Sequence, residues 1–309
     1  MSLPRSAPRL VFLVPANDCS QPVLAGADLE IDRNSPAFLK GWGIWSLLTG
    51  LILRRSGRFR VEFATRLRPG PDAIHVAHVD TLEACTPADD CFVVGVQGDR
   101  LRALDWVNLT VVQNQVQADA EAGRVWLPLW PQPGLEARSP GRDGARTAAY
   151  AGSFRNFALL PHAFAGACRR CGLEPRMLLD GQWHACAEID VLVGIRSFDT
   201  RTHDHKPASK LVNAWLAGIP FIGGHDSAFS QLGEPGRDYL RVATPAEFEQ
   251  ALVRLRTDSA AYAGFVAAGR RRAAFFDRAA VTRAWVEFIE TVAMPRHARW
   301  LGRAAGSPS

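Results

Sequence analysis

Short, continuous apolar runs alternate with segments of helical periodicity along most of the chain, and this alternation constrains the fold most strongly. Continuous apolar strands separated by helices are typical of a parallel sheet covered on both faces. Between the first two runs, Ser35-Pro36 predicts the start of a helix that continues to about Arg55. In the first half the runs predict strands at Leu10–Val14, Phe59–Phe63, Ala73–Val79, Phe92–Val96 and Leu109–Val112.

A proline-rich break divides this pattern into two halves. Trp126–Leu135 holds three prolines, and 138–146 shows no periodicity. We therefore predict a first domain at 1–127, a Pro/Gly-rich linker at 128–146, a second domain at 147–277 and a C-terminal helix and tail at 278–309. The second domain repeats the alternation, with strands predicted at Ala148–Ala151, Arg176–Leu179, Ile189–Ile195, Phe221–Ile222 and Tyr239–Val242. Two such α/β halves favour a cleft between two doubly wound sheets, at the carboxyl ends of the strands.

The most informative segment follows the strand Ile189–Ile195. A polar loop runs from Arg196 to Lys206, and Pro207–Ala217 has helical spacing. Lysine is rare in this chain, because only three of its 36 basic residues are lysines, yet two of them lie at this helix start. The free N–H groups and positive dipole end of a helix N-terminus favour anions, so Lys206, Ser209 and Lys210 predict an anion site.

Lys206-Pro-Ala-Ser-Lys-Leu-Val-Asn-Ala-Trp-Leu-Ala-Gly-Ile-Pro220 resembles the donor-binding segment of GT-B glycosyltransferases, and His225-Asp-Ser-Ala228 resembles the polar turn that follows it. The resemblance implies two Rossmann-like domains with the active site in the cleft between them. It implies that the second domain binds a nucleotide-sugar, and that the last helix could pack back on the first. It is strongest over about 185–257 and weak in the first half.

Carried over residue by residue, the resemblance assigns the phosphates of a nucleotide-sugar to Lys210, with support from Ser209, Lys206 and Arg196. Asn213 would reach the nucleotide, and Gly152-Ser153, after the first strand of the second domain, would let the backbone approach the diphosphate. His225, Asp226 and Ser227 would face the sugar or its phosphate. The nucleotide-sugar would be a co-substrate, with no further cofactor and no essential metal.

The catalytic base is not singled out by the sequence. An inverting transferase needs a base near the acceptor hydroxyl, and in this fold it would come from loops of the first domain. Asp18, Asp32, His78 and Asp80 are candidates, with Asp32 slightly favoured because it lies in the polar loop before the Ser35 helix start. Many retaining members carry two glutamates eight positions apart. Here those positions are His205 and Asn213, which leaves the stereochemical course open.

Other classes of function find less support. Cys168 and Cys171, with His184 and Cys186, are zinc-ligand types at unsuitable spacing, so buried thiols are favoured. Arginines dispersed on helices lack a nucleic-acid docking motif, although some of them could touch an anionic membrane. The apolar segment Ala37–Leu53 is too short to span a membrane. The N-terminal segment does not resemble an export signal, and six cysteines without one predict a cytoplasmic protein.

We therefore expect a GT-B glycosyltransferase that moves a sugar from a nucleotide-diphosphate donor to a glycan, lipid-linked or small-molecule acceptor. A lipid-linked acceptor would place it at the inner face of the membrane. A nucleotide-sugar epimerase of the same architecture and a non-catalytic sugar-nucleotide-binding protein are the alternatives. Donor base, sugar, acceptor and oligomeric state stay open.

Overall fold

The computed structural model describes residues 8–179 and 181–305. The ends of the predicted first domain and tail, 1–7 and 306–309, lie outside this part. The first sheet contains six parallel strands in the order β2-β1-β3-β4-β5-β6. Its strands are β1 (Arg9–Leu13), β2 (Val61–Ala64), β3 (Ala73–His78), β4 (Phe92–Gly98), β5 (Leu109–Val112) and β6 (Arg124–Trp126).

The second sheet contains five parallel strands in the order β11-β10-β9-β7-β8. In the first sheet the order of strand addition reverses between β1 and β3, and in the second sheet it reverses between β7 and β9. Such a reversal is the topological switch point of a doubly wound sheet. The strands are β7 (Thr147–Ala151), β8 (Glu174–Leu178), β9 (Val191–Gly194), β10 (Phe221–Gly223) and β11 (Leu240–Arg241). β1, β3, β4, β5, β7, β9 and β10 are buried almost throughout, as parallel strands covered by helices should be.

Helices connect the strands and complete the chain. They are α1 (Gln21–Leu24), α2 (Thr49–Arg55), α3 (Val79–Leu82), α4 (Pro161–Arg170), α5 (Ser209–Ala217), α6 (Ser227–Leu232), α7 (Pro245–Thr257), α8 (Ser259–Ala273), α9 (Arg278–Phe288) and α10 (Met294–Ala305). Short 3-10 turns lie at Pro36–Phe38, Gln115–Gln117 and Phe154–Asn156. Within the described part, no helix is both long and apolar enough to cross a membrane.

The predicted single helix from Ser35 to Arg55 is wrong. Ser35 does cap a turn, accepting a hydrogen bond from the N–H of Ala37, but that turn is a 3-10 helix that ends at Phe38. A new helical segment then begins with a π-helical stretch, Gly43–Leu48, which runs into α2. The chain can double back here because position 43 is glycine: a Cβ there would lie 1.9 Å from the carbonyl oxygen of Ala37.

The last two helices pack against the first domain, although they follow the second in sequence. Val281, Trp285 and Phe288 of α9 belong to the same buried cluster as Leu10 and Phe12 of β1. On α10, His297 contacts the ring of Phe92 edge to face, with centroids 5.3 Å apart. The chain thus crosses between the domains twice, once through the 128–146 linker and once before α9.

Candidate active site

A cavity of about 280 Å³ lies between the two domains, and residues of both sheets line it. His78 at the end of β3 and Asp99 after β4 approach it from the first sheet. Gly152 after β7 and Arg196 after β9 approach it from the second. Each sheet therefore meets the cavity at the carboxyl ends of its strands, beside its switch point, where open α/β sheets bind ligands.

Lys210 is the central cation of the wall formed by the second domain. Its Nζ lies 5.4 Å from the ring centroid of Tyr150, a cation–π distance, and no carboxylate of the described residues pairs with it. Burial, reinforced by the nearby guanidinium of Arg196, lowers the pKa of Lys210 to about 7. An anion brought to this ammonium would stabilise its charged form.

Gly152 leaves the space that the lysine occupies. Its φ of 143° lies in the region that favours glycine, and a Cβ there would come within 3.1 Å of Lys210 Cε and 3.2 Å of Nζ. The chain therefore turns away from β7 with its backbone directly beside the ammonium. A ligand on Lys210 could approach this backbone without meeting a side chain.

Two further cations line the same wall, and each has a carboxylate partner. The Nε of Arg196 donates a hydrogen bond to Asp226, and both side chains are almost fully buried. The Nζ of Lys206 donates to Asp99 Oδ2 at 2.8 Å, across the cleft. Charge-assisted bonds of this kind fix the position of both cations. Ser209 and Asn213 of α5 and Ser153 line the cavity beside them.

The polar turn His225–Ser227 is not among the residues that line the cavity. Asp226 points at Arg196, and the Oγ of Ser227 accepts a hydrogen bond from Asn114 of the first domain at 2.9 Å. Gln231, one turn further on, donates to Asn114 Oδ1 at 2.8 Å. These hydrogen bonds connect the start of α6 to the first domain. Asp226 does not line the cavity itself, but it accepts a hydrogen bond from Arg196, which does.

The helix α5 begins at Ser209, two residues after the predicted start at Pro207. The carbonyl of Lys206 accepts a hydrogen bond from Asn114 Nδ2 of the first domain at 3.2 Å. The Lys206 N–H in turn bonds the carbonyl of His203, whose φ is 47°. This tight turn takes Lys206 out of the helix and points its ammonium at the opposite domain.

The wall formed by the first domain is largely apolar and aromatic. The polar side chain at the end of β3 is His78. Its Nδ1 accepts a hydrogen bond from the backbone N–H of Asp80 at 3.3 Å, so the ring proton is on Nε2. Burial lowers the pKa of His78, so the ring is neutral near pH 7. Gly41 and Gly98 make room for the ring, because a Cβ at either would lie 2.6 Å from Nε2. The apolar lining residues of this wall are Phe38, Leu39, Ile44, Trp45, Leu129 and Trp130.

None of the three predicted aspartate bases lines the cavity. Asp32 pairs with Arg278 at the start of α9, Asp80 pairs with Arg100, and Asp18 lies exposed in the loop after β1. Asp18 and Asp80 follow strand ends and Asp32 lies in the loop before Ser35, as expected, but each side chain is turned towards an arginine or towards solvent. Asp99, which was not a candidate, is the acidic side chain that lines the cavity in the described part of the chain.

Two buried N–H donors of the cavity have no acceptor. Trp183 Nε1 and Gln132 Nε2 both line it, and neither makes a hydrogen bond. The backbone N–H of Gln132, in contrast, donates to Asn213 Oδ1 at 3.2 Å, which places the linker against α5. Unpaired donors at this depth are costly unless a ligand supplies an acceptor oxygen. The sequence did not predict a site role for Trp183 or Gln132, because both lie in irregular segments without a recognisable motif.

The described residues hold no group of three or more His, Cys, Asp or Glu side chains that could bind a metal ion. Cys168 and Cys186 are buried, and burial raises the pKa of both thiols to about 12. Both thiols are therefore protonated at neutral pH and are buried core thiols as predicted, whereas Cys171 is only half-buried.

Two parallel α/β sheets that meet at such a cleft define the GT-B fold, which confirms the predicted fold class. No protein-family model matches the sequence, and no curated protein matches it significantly. Among solved structures, Anabaena HepE in complex with UDP-glucose is similar over 92% of this chain and 100% of its own, with a TM-score of 0.54 and 12% identity.

Two longer proteins are similar over part of their length. Staphylococcus aureus TarM matches 78% of this chain with a TM-score of 0.51 and 9% identity, and this chain spans 57% of it. The pneumococcal O-GlcNAc transferase GtfA, solved with UDP and GlcNAc, matches 80% with a TM-score of 0.51 and 11% identity, and this chain spans 60% of it. At these identities the similarity defines the fold alone.

Proposed function

We propose that the protein is a glycosyltransferase that takes a sugar from a nucleotide-diphosphate donor. The observation that carries this proposal is Lys210, a cation with no carboxylate partner among the described residues, which lies at the switch point of the second sheet. An ammonium in such a position needs an anion, and Lys206 and Arg196 add positive charge beside it. The UDP and UDP-glucose complexes of HepE support a nucleotide-sugar as that anion.

The reaction needs stabilisation of the departing nucleoside diphosphate. Positive groups fixed in a partly enclosed site provide it without reorganisation at the moment of bond cleavage. Lys210, Lys206 and Arg196 would bind the phosphates, and the backbone at Gly152 would pass beside them. No metal ion and no further cofactor enters this scheme, and the nucleotide-sugar acts as co-substrate. The neutral Nε2–H of His78 would donate to a hydroxyl of the sugar.

The acceptor would bind against the wall of the first domain. Leu39, Ile44 and Leu129 are half-buried and offer apolar surface there, which suits the C–H face of a sugar ring or the apolar part of a lipid or small molecule. Lys40 lies at the exposed edge of the same wall. A glycan, a lipid-linked saccharide and a small amphipathic molecule all fit this chemistry, and lipid-linked acceptors would place the protein at a membrane surface.

The test is a thermal-shift panel of nucleoside diphosphates and their sugar conjugates, run on the wild type, Lys210→Met and Arg176→Met. Ligands that bind only the folded state raise the melting temperature by mass action. We expect at least one donor to stabilise the wild type and Arg176→Met alike, because Arg176 pairs with Glu174 on β8 and does not line the cavity. Lys210→Met should lose most of the ligand-induced shift.

Two results would contradict the proposal. If no nucleotide stabilises the wild type, the cavity is not a donor site. If Lys210→Met responds like the wild type, Lys210 does not bind the donor. Release of the nucleoside diphosphate from the stabilising donor, with water as acceptor, would then separate an enzyme from a protein that only binds the nucleotide-sugar.

A further inference from the structure

Besides Asp226, which pairs with Arg196 outside the cavity lining, one carboxylate of the described residues faces the cations of the cavity. Asp99 follows β4 of the first domain, and in the described part of the chain it is the acidic side chain that lines the cavity. Its partner Lys206 belongs to the second domain, 107 positions away in sequence. The side chain of Asp99 is 42% exposed and that of Lys206 is 16% exposed. The ion pair therefore spans the cleft and is open to the space that a ligand would enter.

We propose that Asp99 is the catalytic carboxylate of the acceptor side, and that Lys206 holds it until the diphosphate of the donor takes its place. This inference rests on the function proposed above. A diphosphate carries more negative charge than one carboxylate, and Lys210 and Arg196 attract it to the same wall. Once Lys206 turns to the phosphates, the Asp99 carboxylate is left facing the cavity from the side where an acceptor would bind.

Transfer of Lys206 from Asp99 to the donor phosphates would make the Asp99 carboxylate more basic. Burial tends to raise the pKa of Asp99, but the hydrogen bond and charge of Lys206, together with the charge of Arg100, outweigh it and lower the pKa overall. Transfer of Lys206 to the phosphates removes the largest of these lowering effects. Donor binding would therefore make Asp99 a better proton acceptor at the time when it is needed.

The resulting step is balanced in atoms and charge. The acceptor O–H proton passes to an Asp99 carboxylate oxygen while the acceptor oxygen bonds the anomeric carbon. The bond from that carbon to the diphosphate oxygen breaks, and its electron pair leaves with the nucleoside diphosphate, whose charge Lys206 and Lys210 neutralise. The proton on Asp99 returns to solvent after the product departs.

Calorimetric titration with inorganic pyrophosphate tests the exchange without knowledge of the nucleobase. Asp99→Asn should bind pyrophosphate about five-fold more tightly than the wild type, because no carboxylate competes for Lys206. Lys206→Met should bind it about ten-fold more weakly or worse. Asp28→Asn is the matched control: Asp28 is 49% exposed and pairs with Arg54 and Arg55 outside the cavity, so its affinity should not change.

Turnover separates a catalytic carboxylate from a simple latch. With the nucleotide-sugar that stabilises the wild type most, Asp99→Asn should bind more tightly yet release the nucleoside diphosphate at least ten-fold more slowly. Tighter binding with unchanged turnover would overturn the catalytic role, and unchanged or weaker binding would overturn the exchange. If Asp99→Asn does not fold, Asp99→Ser takes its place in both assays, after its melting temperature has been compared with that of the wild type. Failure of the wild type to bind pyrophosphate and every nucleotide would instead overturn the proposed function.

Discussion

At the scale of single residues, the cavity is built around a cation that is costly to keep. The cavity is lined by all three lysines of the chain, Lys40, Lys206 and Lys210. The other 33 of the 36 lysine and arginine residues in the chain are arginines. That Lys206 and Lys210 lie close to a helix start could be predicted from sequence, because the motif is local, although Lys206 itself precedes the helix. Asp99 could not, since its relevance depends on the packing of two domains against each other.

Lys210 should destabilise the protein without ligand. Its pKa falls from 10.5 to about 7 on folding, so between these values the unfolded chain binds more protons and stability rises with pH. We expect Lys210→Met to melt roughly 3 °C higher than the wild type at pH 7. This difference should shrink towards zero near pH 10, as the folded and unfolded lysine approach the same protonation.

Differential scanning calorimetry at pH 7, 8.5 and 10 measures this directly, with Arg176→Met as the control that should follow the wild type at each pH. A methionine variant that is less stable at pH 7 would show that the ammonium contributes to folding rather than to ligand binding. Replacement of a functional charge commonly exchanges activity for stability in this way.

At the scale of elements, local sequence signals predicted where strands and helices occur better than where they begin. The apolar runs predicted β1, β3, β4, β5, β7 and β9 because buried parallel strands need no distant partner to be recognised. The start of α5 and the helix after Ser35 were misplaced for a different reason. Asn114 donates to the carbonyl of Lys206 from 92 positions away, which is a tertiary contact. Gly43 packs on Ala37 within the same segment, but apolar periodicity does not reveal such a close backbone approach.

The turn after β7 should tolerate no side chain. Gly152→Ala would place a Cβ within 3.2 Å of Lys210 Nζ at a φ of 143°, so the variant should lose about 1–3 kcal/mol of stability and bind pyrophosphate at least ten-fold more weakly. Gly141→Ala is the control, because its φ is 82° but no atom lies within 4 Å of the added Cβ. It should lose stability and keep its affinity. If Gly152→Ala bound pyrophosphate as tightly as the wild type, the ligand would not need to approach the backbone at this glycine.

At the scale of the whole molecule, the first domain is completed by the end of the chain. Two Rossmann-like halves and a linker followed from the periodic pattern and its proline-rich break. The docking of α9 and α10 did not follow from that pattern, because an amphipathic helix indicates that one face is buried but not against which domain. The resemblance supplied that expectation. The structure buries Trp285, Phe288 and Ile289 in the cluster that also contains Phe12 of β1.

Trp285 tests whether this docking is part of the folded unit. Its side chain is fully buried and stacks edge to face on Phe288, with centroids 5.9 Å apart. Trp285→Ala should cost about 3–5 kcal/mol and lower the first thermal unfolding transition by roughly 10 °C. Phe275→Ala removes another aromatic ring, at a site that is 68% exposed, and should change that transition by little more than 1 °C. An unchanged first transition in Trp285→Ala would mean that α9 and α10 are an accessory to the first domain. A large loss of stability would mean that the first sheet depends on the packing of α9 and α10 for its folding. Opening of the cleft would then have to bend the chain at both crossings between the domains, the 128–146 linker and the segment before α9.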